Sequence, residues 1–301
     1  MVVLVTGGSG FIGSHVVDAL RAQGLTVRVF DQAKPESDVE WIKGDLRSKD
    51  EAYNAVRDVE TVFHLAAVAD VSVAATDPQL CMDVNEMGTL NLLKACSGQD
   101  VERFILASTV WVYGKVSGTV NEDTPIDLPE DIYTKTKIGQ EHLVHAWAKS
   151  HSIRYMILRY DIPYGPRMRA NMAIATFVRR AMNKDSITIF GDGRQGRCWI
   201  YVTDLAKAHC HALKANLDAQ IINIAGMDFV TIGQIVEKLK RRLGDFPVKY
   251  EVARPGDFAG VTTSIEKAKK LLQWSPTVSF DDGLSAYIDS VKKGAASISP
   301  R

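Results

Sequence analysis

Tyr133 and Lys137, in the stretch YTKTK, stand four residues apart. On a helix that spacing puts both side chains on one face, about 40° from eclipsed. A phenol beside an ammonium group is a candidate general base. At its ordinary pKa near 10 a tyrosine is a poor base at neutral pH, and lowering it by about three takes roughly 4 kcal/mol. A cation about 4 Å away, at an effective dielectric of about 20, supplies an interaction of that size. The product would be a proton acceptor matched to a neutral working pH. The same letters also describe one face of a solvated helix, so their meaning depends on the surrounding elements.

A second group of residues suggests what would work beside that base. The apolar run Val2–Val5 breaks into Thr6-Gly7-Gly8-Ser9-Gly10-Phe11-Ile12-Gly13 and then resumes with a helical rhythm. Strand, glycine loop and helix in that order form a dinucleotide cradle. One glycine allows the tight turn, one lets the backbone approach a pyrophosphate, and Gly13 lets helix pack on strand. Spacing alone permits two registers, Gly7-Gly10-Gly13 and Gly8-Gly10-Gly13. Asp31 closes the second strand about twenty residues further on, where a carboxylate accepts hydrogen bonds from a ribose diol. It would repel a 2′-phosphate, Gln32 and Ala33 offer no arginine to hold one, and Arg28 lies within the strand. NAD is favoured over NADP.

These residues need a scaffold, and the hydrophobic pattern predicts one. Strands are expected at Val2–Val5, Thr26–Phe30, Val39–Lys43, Thr61–Leu65, Arg103–Ala107 and Arg154–Leu158. Between them come helices near Ser14–Gln23, from the capping-box spacing Ser48 to Glu51, at about Gln79–Cys96 and near Ile132–Ser150. Repeated β-α-β units with β-branched strands make this an α/β protein with a doubly wound parallel (Rossmann) sheet. After residue 160 the rhythm changes, with a helix over Met172–Asn183, a turn-rich segment, a buried strand at Ile221–Ala225 and a surface helix at Thr231–Leu243. A helix is expected at Thr263–Gln273, opened by a second capping box from Thr263 to Glu266, and the final KKGAASISPR reads as a frayed tail. The expected division is a nucleotide-binding domain over 1–160 with about 198–226, and a smaller, interwoven C-terminal substrate domain over about 161–197 and 227–301.

The bulk numbers narrow the partners. The chain has 301 residues, 46% of them hydrophobic, with Lys+Arg and Asp+Glu equal at 36 each, so nothing calls for a nucleic acid or a membrane surface. Cys81, Cys96, Cys198 and Cys210 are scattered and read as reduced thiols of a cytoplasmic protein. His209-Cys210-His211 is no metal site, because residues two apart on a helix point away from each other. His64 reads as a satisfied core residue. Arg167, Arg169 and Arg194 read as solvated loop charges.

Taken together, these segments resemble the extended short-chain dehydrogenase/reductase superfamily, in its NAD-dependent nucleotide-sugar epimerase/dehydratase group, over nearly the whole chain. Its T-G-x-x-G-x-x-G loop matches Thr6 to Gly13 and selects the Gly7-Gly10-Gly13 register. GDL at Gly44–Leu46 resembles the adenine-side segment. HLAA at His64–Ala67 resembles a strand end beside the cofactor, and DVNEMGT, around Asn85, the helix after it. ASTVWVYG is similar to the segment with a third catalytic hydroxyl, here Thr109. LRYDIPYGPR resembles the entry to the substrate domain, and GDGRQGR and ARPGD the segments whose arginines hold the substrate diphosphate. The resemblance implies Thr109, Tyr133 and Lys137 as catalytic residues. It implies NAD contacts at Gly7, Gly10, Phe11, Ile12, Gly13, Asp31, Asp45, Leu46, Ala66, Ala67, Asn85, Tyr133, Lys137 and Tyr160. Substrate contacts are implied at Thr109, Tyr133, Ile162, Arg197 and Arg254.

Two departures bear on the reaction. Dehydratases of the group carry an Asp-Glu pair after the threonine, where this chain has Val110 and Trp111. Epimerases often have Asn where Ile162 stands. The resemblance therefore implies a 4-epimerase of a UDP-hexose or UDP-hexuronate: Tyr133 takes a hydroxyl proton, hydride passes to NAD, the keto-sugar rotates, and hydride returns to its other face. A homodimer is implied as well. A reductase or dehydrogenase of the same fold and a non-catalytic NAD-sensing regulator are the alternatives.

Overall fold

The computed structural model describes residues 1–253 and 260–294. Its main sheet has seven parallel strands: β1 (Val2–Thr6), β2 (Thr26–Asp31), β3 (Glu40–Lys43), β4 (Thr61–His64), β5 (Arg103–Thr109), β6 (Arg154–Tyr160) and β7 (Gln220–Ile224). In space they run β7-β6-β5-β4-β1-β2-β3. Val3 pairs with Val27 of β2 on one side and Thr61 of β4 on the other. The chain builds outward from β1 to β3 and then returns to β4. The crevice opens at that reversal, along the carboxyl ends of the strands.

Apolar side chains on both faces explain why the strands read as continuous runs. On one face, Val16, Val17 and Leu20 of the first helix and Leu205, Ala208 and Ala212 of the Val202–Lys214 helix cover Val3, Val5, Ile105 and Ile222. On the other, Leu92, Leu93, Ala52, Ala55 and Val144 cover Leu4, Val62, Phe104 and Leu106. A third cluster joins the helices Ala173–Met182, Ile232–Leu243 and Phe280–Lys292 through Val178, Leu239 and Leu284. Among the described residues, no helix is long and apolar enough to cross a membrane.

Several local expectations are corrected. The first helix spans Phe11–Arg21, three residues ahead of the expected start, because Gly10 already serves as its N-cap. The helix expected at Gln79–Cys96 is three pieces, Pro78–Met82, a π turn at Asp83–Met87, and Gly88–Ser97, preceded by a short helix Val71–Thr76 that Asp70 caps. Ser48 accepts from Glu51 N at 3.4 Å, but the Glu51 carboxylate turns to Asp45 N at 2.7 Å, so only half of that box forms. The box expected from Thr263 to Glu266 is absent. Thr263 lies in a short strand, Thr262–Thr263, and the helix begins at Glu266. A complete capping box stands at Thr231 and Gln234 instead.

The helix Ile132–His151, which carries Tyr133, is pinned to the sheet by a buried ion pair. Arg159 on β6 donates to Glu141 through Nε at 3.0 Å and Nη2 at 2.7 Å, and Ser108 on β5 donates to the same carboxylate at 2.5 Å. Arg159 Nη1 continues to the Tyr113 hydroxyl, which donates to Asn223 on β7. Removing one member of such a pair strands a buried charge. Glu141→Ala should therefore destabilise the protein by about 3–5 kcal/mol in urea unfolding, whereas truncating the exposed Lys115–Glu130 pair should cost well under that.

Candidate active site

A cleft of about 1330 Å³ runs along the carboxyl edge of the sheet. At one end lies the glycine loop. Gly7 has φ +71°, and a Cβ there would meet Ala66 Cα at 2.8 Å. A Cβ on Gly13 would lie 2.0 Å from the Gly7 carbonyl oxygen, so only hydrogen fits between helix and turn. Gly8 packs on the Val29 side chain, which leaves Gly7, Gly10 and Gly13 as the working register. Gly10 offers no capping side chain, so the first-turn amides of Phe11, Ile12 and Gly13, all on the cleft wall, remain for an anion. This cradle fits a dinucleotide diphosphate.

Asp31 stands at the end of β2 on the same wall. Its Oδ2 accepts from Ser9 N and its Oδ1 from Ala33 N, both at 3.0 Å, leaving one lone pair per oxygen for a ribose hydroxyl. Asp45 and Leu46 line the wall next to it. The Asp45 carboxylate is engaged by Arg47 at 2.6 Å and by Gln32, so its side chain organises this end, and the Arg47 cation is taken up by it. Ala66 and Ala67 complete this part. Asn85, expected as a cofactor contact, lies behind the wall and is fully buried. Its carboxamide accepts from Val68 N at 2.8 Å and donates to Thr136 at 2.9 Å, tying the segment after Ala67 to the Tyr133 helix.

The ends of strands β5 and β6 line the next part of the cleft. Thr109, the last residue of β5, faces the cleft and accepts from Trp111 N at 3.2 Å. Tyr133 projects into the same space, with the Trp111 ring edge-on to it at 6.4 Å. Tyr160, at the end of β6, lines the cleft, while its hydroxyl meets buried His209 Nε2 at 2.6 Å. The other His209 nitrogen meets the Leu205 carbonyl at 2.9 Å, which assigns it the proton and makes the phenol the donor. His64 is held between the Thr6 and Thr89 hydroxyls, each at 2.8 Å, and burial lowers its pKa to about 3. It stays neutral. His209 and His211 serve different partners, the latter meeting the Leu272 carbonyl at 2.9 Å.

The expected acidic phenol is not a property of these side chains alone. Lys137 Nζ sits 5.9 Å from the centre of the Tyr133 ring and donates to the Ala107 carbonyl at 3.0 Å. Burial drives the Tyr133 phenol well above its ordinary range and Asp131 adds to the rise, while Arg169 opposes it. Desolvation outweighs the Arg169 cation, and the same desolvation lowers Lys137 from 10.5 to about 8.

At the far end the wall carries Ile162 and Arg197. Arg254 lies outside the described residues. Three arginines read as solvated separate here. Arg167 turns to Asp18 at 2.8 Å and to the His15 ring, and Arg194 pairs with Asp192 at the surface. Arg169 lines the cleft, 3.4 Å from Asp70, and Arg180 and Asn171 line it too. Arg169 stands two residues after Arg167 in the loop that leaves Tyr160, a placement the sequence offered; Arg180, near a helix end, gave no such signal.

A strand-loop-helix cradle, an acid at the end of β2 and a hydroxyl-phenol pair across the cleft define an NAD-binding enzyme of the Rossmann type. The model of the NAD dependent epimerase/dehydratase family matches residues 3–225, and the chain belongs to that family. It is 32% identical to a UDP-glucuronate 4-epimerase of Thermodesulfobacterium geofontis, over 96% of each chain. Its structure is similar to that of a UDP-glucuronic acid 4-epimerase from Bacillus cereus bound to UDP-glucuronic acid and NAD, with 34% identity, a TM-score of 0.91, and coverage of 97% of this chain and 99% of that one. It is also similar to a UDP-glucose 4-epimerase of Thermotoga maritima with UDP-glucose, with 30% identity, a TM-score of 0.92, and coverage of 98% and 100%. The cofactor is NAD.

Two outcomes test this site. Gly13→Ala should weaken NAD binding by about two orders of magnitude in a fluorescence titration, the loss of roughly two charge-assisted hydrogen bonds. Between pH 8 and 10.5 the unfolded chain keeps a proton on Lys137 that the folded protein has released, so this group's contribution to stability rises with pH. Relative to Lys137→Met, the cofactor-free wild type should gain roughly 3 kcal/mol across that window in denaturant titrations.

Proposed function

We propose that this chain is a 4-epimerase of a UDP-linked hexose or hexuronate. The observation that carries the reading is the composition of the wall around Tyr133. A phenol and the Thr109 hydroxyl converge on one region of the cleft that also holds the glycine cradle. The positions after Thr109 are Val110 and Trp111, which provide no carboxyl group to remove a proton from C5 or protonate a leaving hydroxyl.

NAD, when bound, supplies a hydride-accepting carbon and a positive ring charge. The chain's residues handle the proton and the orientation. Tyr133 accepts the proton of the sugar 4-hydroxyl and later returns it, and Thr109 donates a hydrogen bond to the same oxygen. Lys137, behind Tyr133, keeps a cationic donor at the base of the phenol. Arg197 holds the diphosphate by paired N–H groups while the sugar turns over. Because the reaction starts and ends at one redox level, it consumes no NAD, and protein that retains the cofactor turns over without added NAD.

The test is incubation of purified protein with a panel of nucleotide sugars, without added cofactor, followed by NMR. Inversion at C4 of a UDP-sugar is the expected result. An unchanged panel together with steady consumption of added NADH would replace this reading with a reductase. Tyr133→Phe should lower kcat by about 10³-fold with KM changed little.

A further inference from the structure

Asp161 follows the last residue of β6, is 1% exposed, and is among the residues that line the cleft. The Oδ1 atom accepts from Ile162 N at 2.8 Å. The Oδ2 atom accepts from Cys198 N at 3.3 Å and from the Thr263 hydroxyl at 2.8 Å. Three segments distant in sequence thus meet on one carboxylate: the exit of the main sheet, the residue after Arg197, and the short strand Thr262–Thr263.

From this geometry we infer that Asp161 is a positioning residue for Arg197, fixing the backbone that aims the guanidinium at the substrate diphosphate; the inference rests on the nucleotide-sugar reading above. Arg197 lies on a strand of two residues, Gly196–Arg197, paired antiparallel with Val230–Thr231. So short a ladder does not define its own geometry. Val230 pairs with Arg197 on one side, and Asp161 holds the next amide along the chain. The Cys198 carbonyl is held in turn by Gly226 N at 3.0 Å, where a Cβ would come within 1.9 Å of the Trp199 carbonyl oxygen.

A carboxylate is a costly choice for a buried site unless its charge is used. Burial pushes Asp161 up, while the Thr263 and backbone donors and the Arg197 guanidinium favour the charged form. The anion accepts all three hydrogen bonds at once. An asparagine in its place turns one N–H toward a donor it cannot satisfy. Pre-organising Arg197 in this way reduces the ordering cost when the diphosphate arrives.

The experiment is calorimetric titration of the NAD-loaded protein with UDP, using wild type, Asp161→Ala, Asp161→Asn, Arg197→Ala and the Asp161→Ala/Arg197→Ala double variant. Asp161→Ala should weaken UDP about tenfold and raise KM with kcat little changed, and Asp161→Asn should recover part of that loss. In the Arg197→Ala background the same change should cost less than about twofold, because the two residues act through one contact. NAD affinity should hold within about twofold throughout. Thr263→Val, which removes one donor and spares the carboxylate, should give a smaller loss of the same sign. An equal loss of UDP affinity with and without Arg197, or a parallel loss of NAD affinity, would show a purely structural role and overturn the inference. Wild-type protein that binds NAD but not UDP would overturn the substrate reading and the inference together.

Discussion

In a parallel sheet every strand ends at the same edge, and this protein's chemistry is distributed along that edge. Six of the seven strands deliver Gly7, Asp31, Gly44, Leu65, Thr109 and Asp161 to one line of loops, each at or just past a strand terminus. The reversal between β1 and β4 parts those loops into a cleft. No loop has to reach far, and each inherits its position from a ladder buried on both faces. The glycine contact shows how little freedom remains: the carbonyl of Gly7 and the α-carbon of Gly13 leave room for a hydrogen atom and nothing larger.

The electrostatics of the reacting half follow from burial more than from pairing. A tyrosine and a lysine one helical turn apart suggest mutual stabilisation. In the folded chain both are pushed toward their neutral forms, because the low-dielectric surroundings tax each charge separately. The ion pair of Glu141 and Arg159 lies about two turns further along the same helix, with hydrogen bonds on both partners, and it locks the helix that presents the phenol. The buried charge serves placement.

Much of this was legible in the sequence because the signals were local. Glycine spacing, an acid at a strand end, β-branched runs and a four-residue Tyr-Lys interval each report on geometry within a few residues. What escaped was long-range. Asn85 reads as a cleft residue, but a π turn and the hydroxyl of Thr136, fifty-one positions later, direct it into the core. Thr263 reads as a helix cap, but Asp161 claims its hydroxyl from 102 positions away. Arg167 and Arg169 look alike in sequence. The fold gives one to Asp18 and the other to the cleft. The final helix, Phe280–Lys292, does carry local signals, a cap at Ser279 and a helical period through Phe280, Leu284, Tyr287 and Ile288.

The outermost strand of the sheet on the β6 side, β7, is contributed only at Gln220–Ile224, some sixty residues after β6. Until it arrives, β6 is paired only with β5 and has one open edge, along which the apolar run Tyr155, Met156, Ile157 and Leu158 lies between Arg154 and Arg159. A ribosome-bound chain that has completed the nucleotide cradle therefore still carries a sticky margin, and closing it requires a pairing of high sequence separation. The interweaving thereby makes completion of the first half's sheet depend on a strand from the second half of the chain.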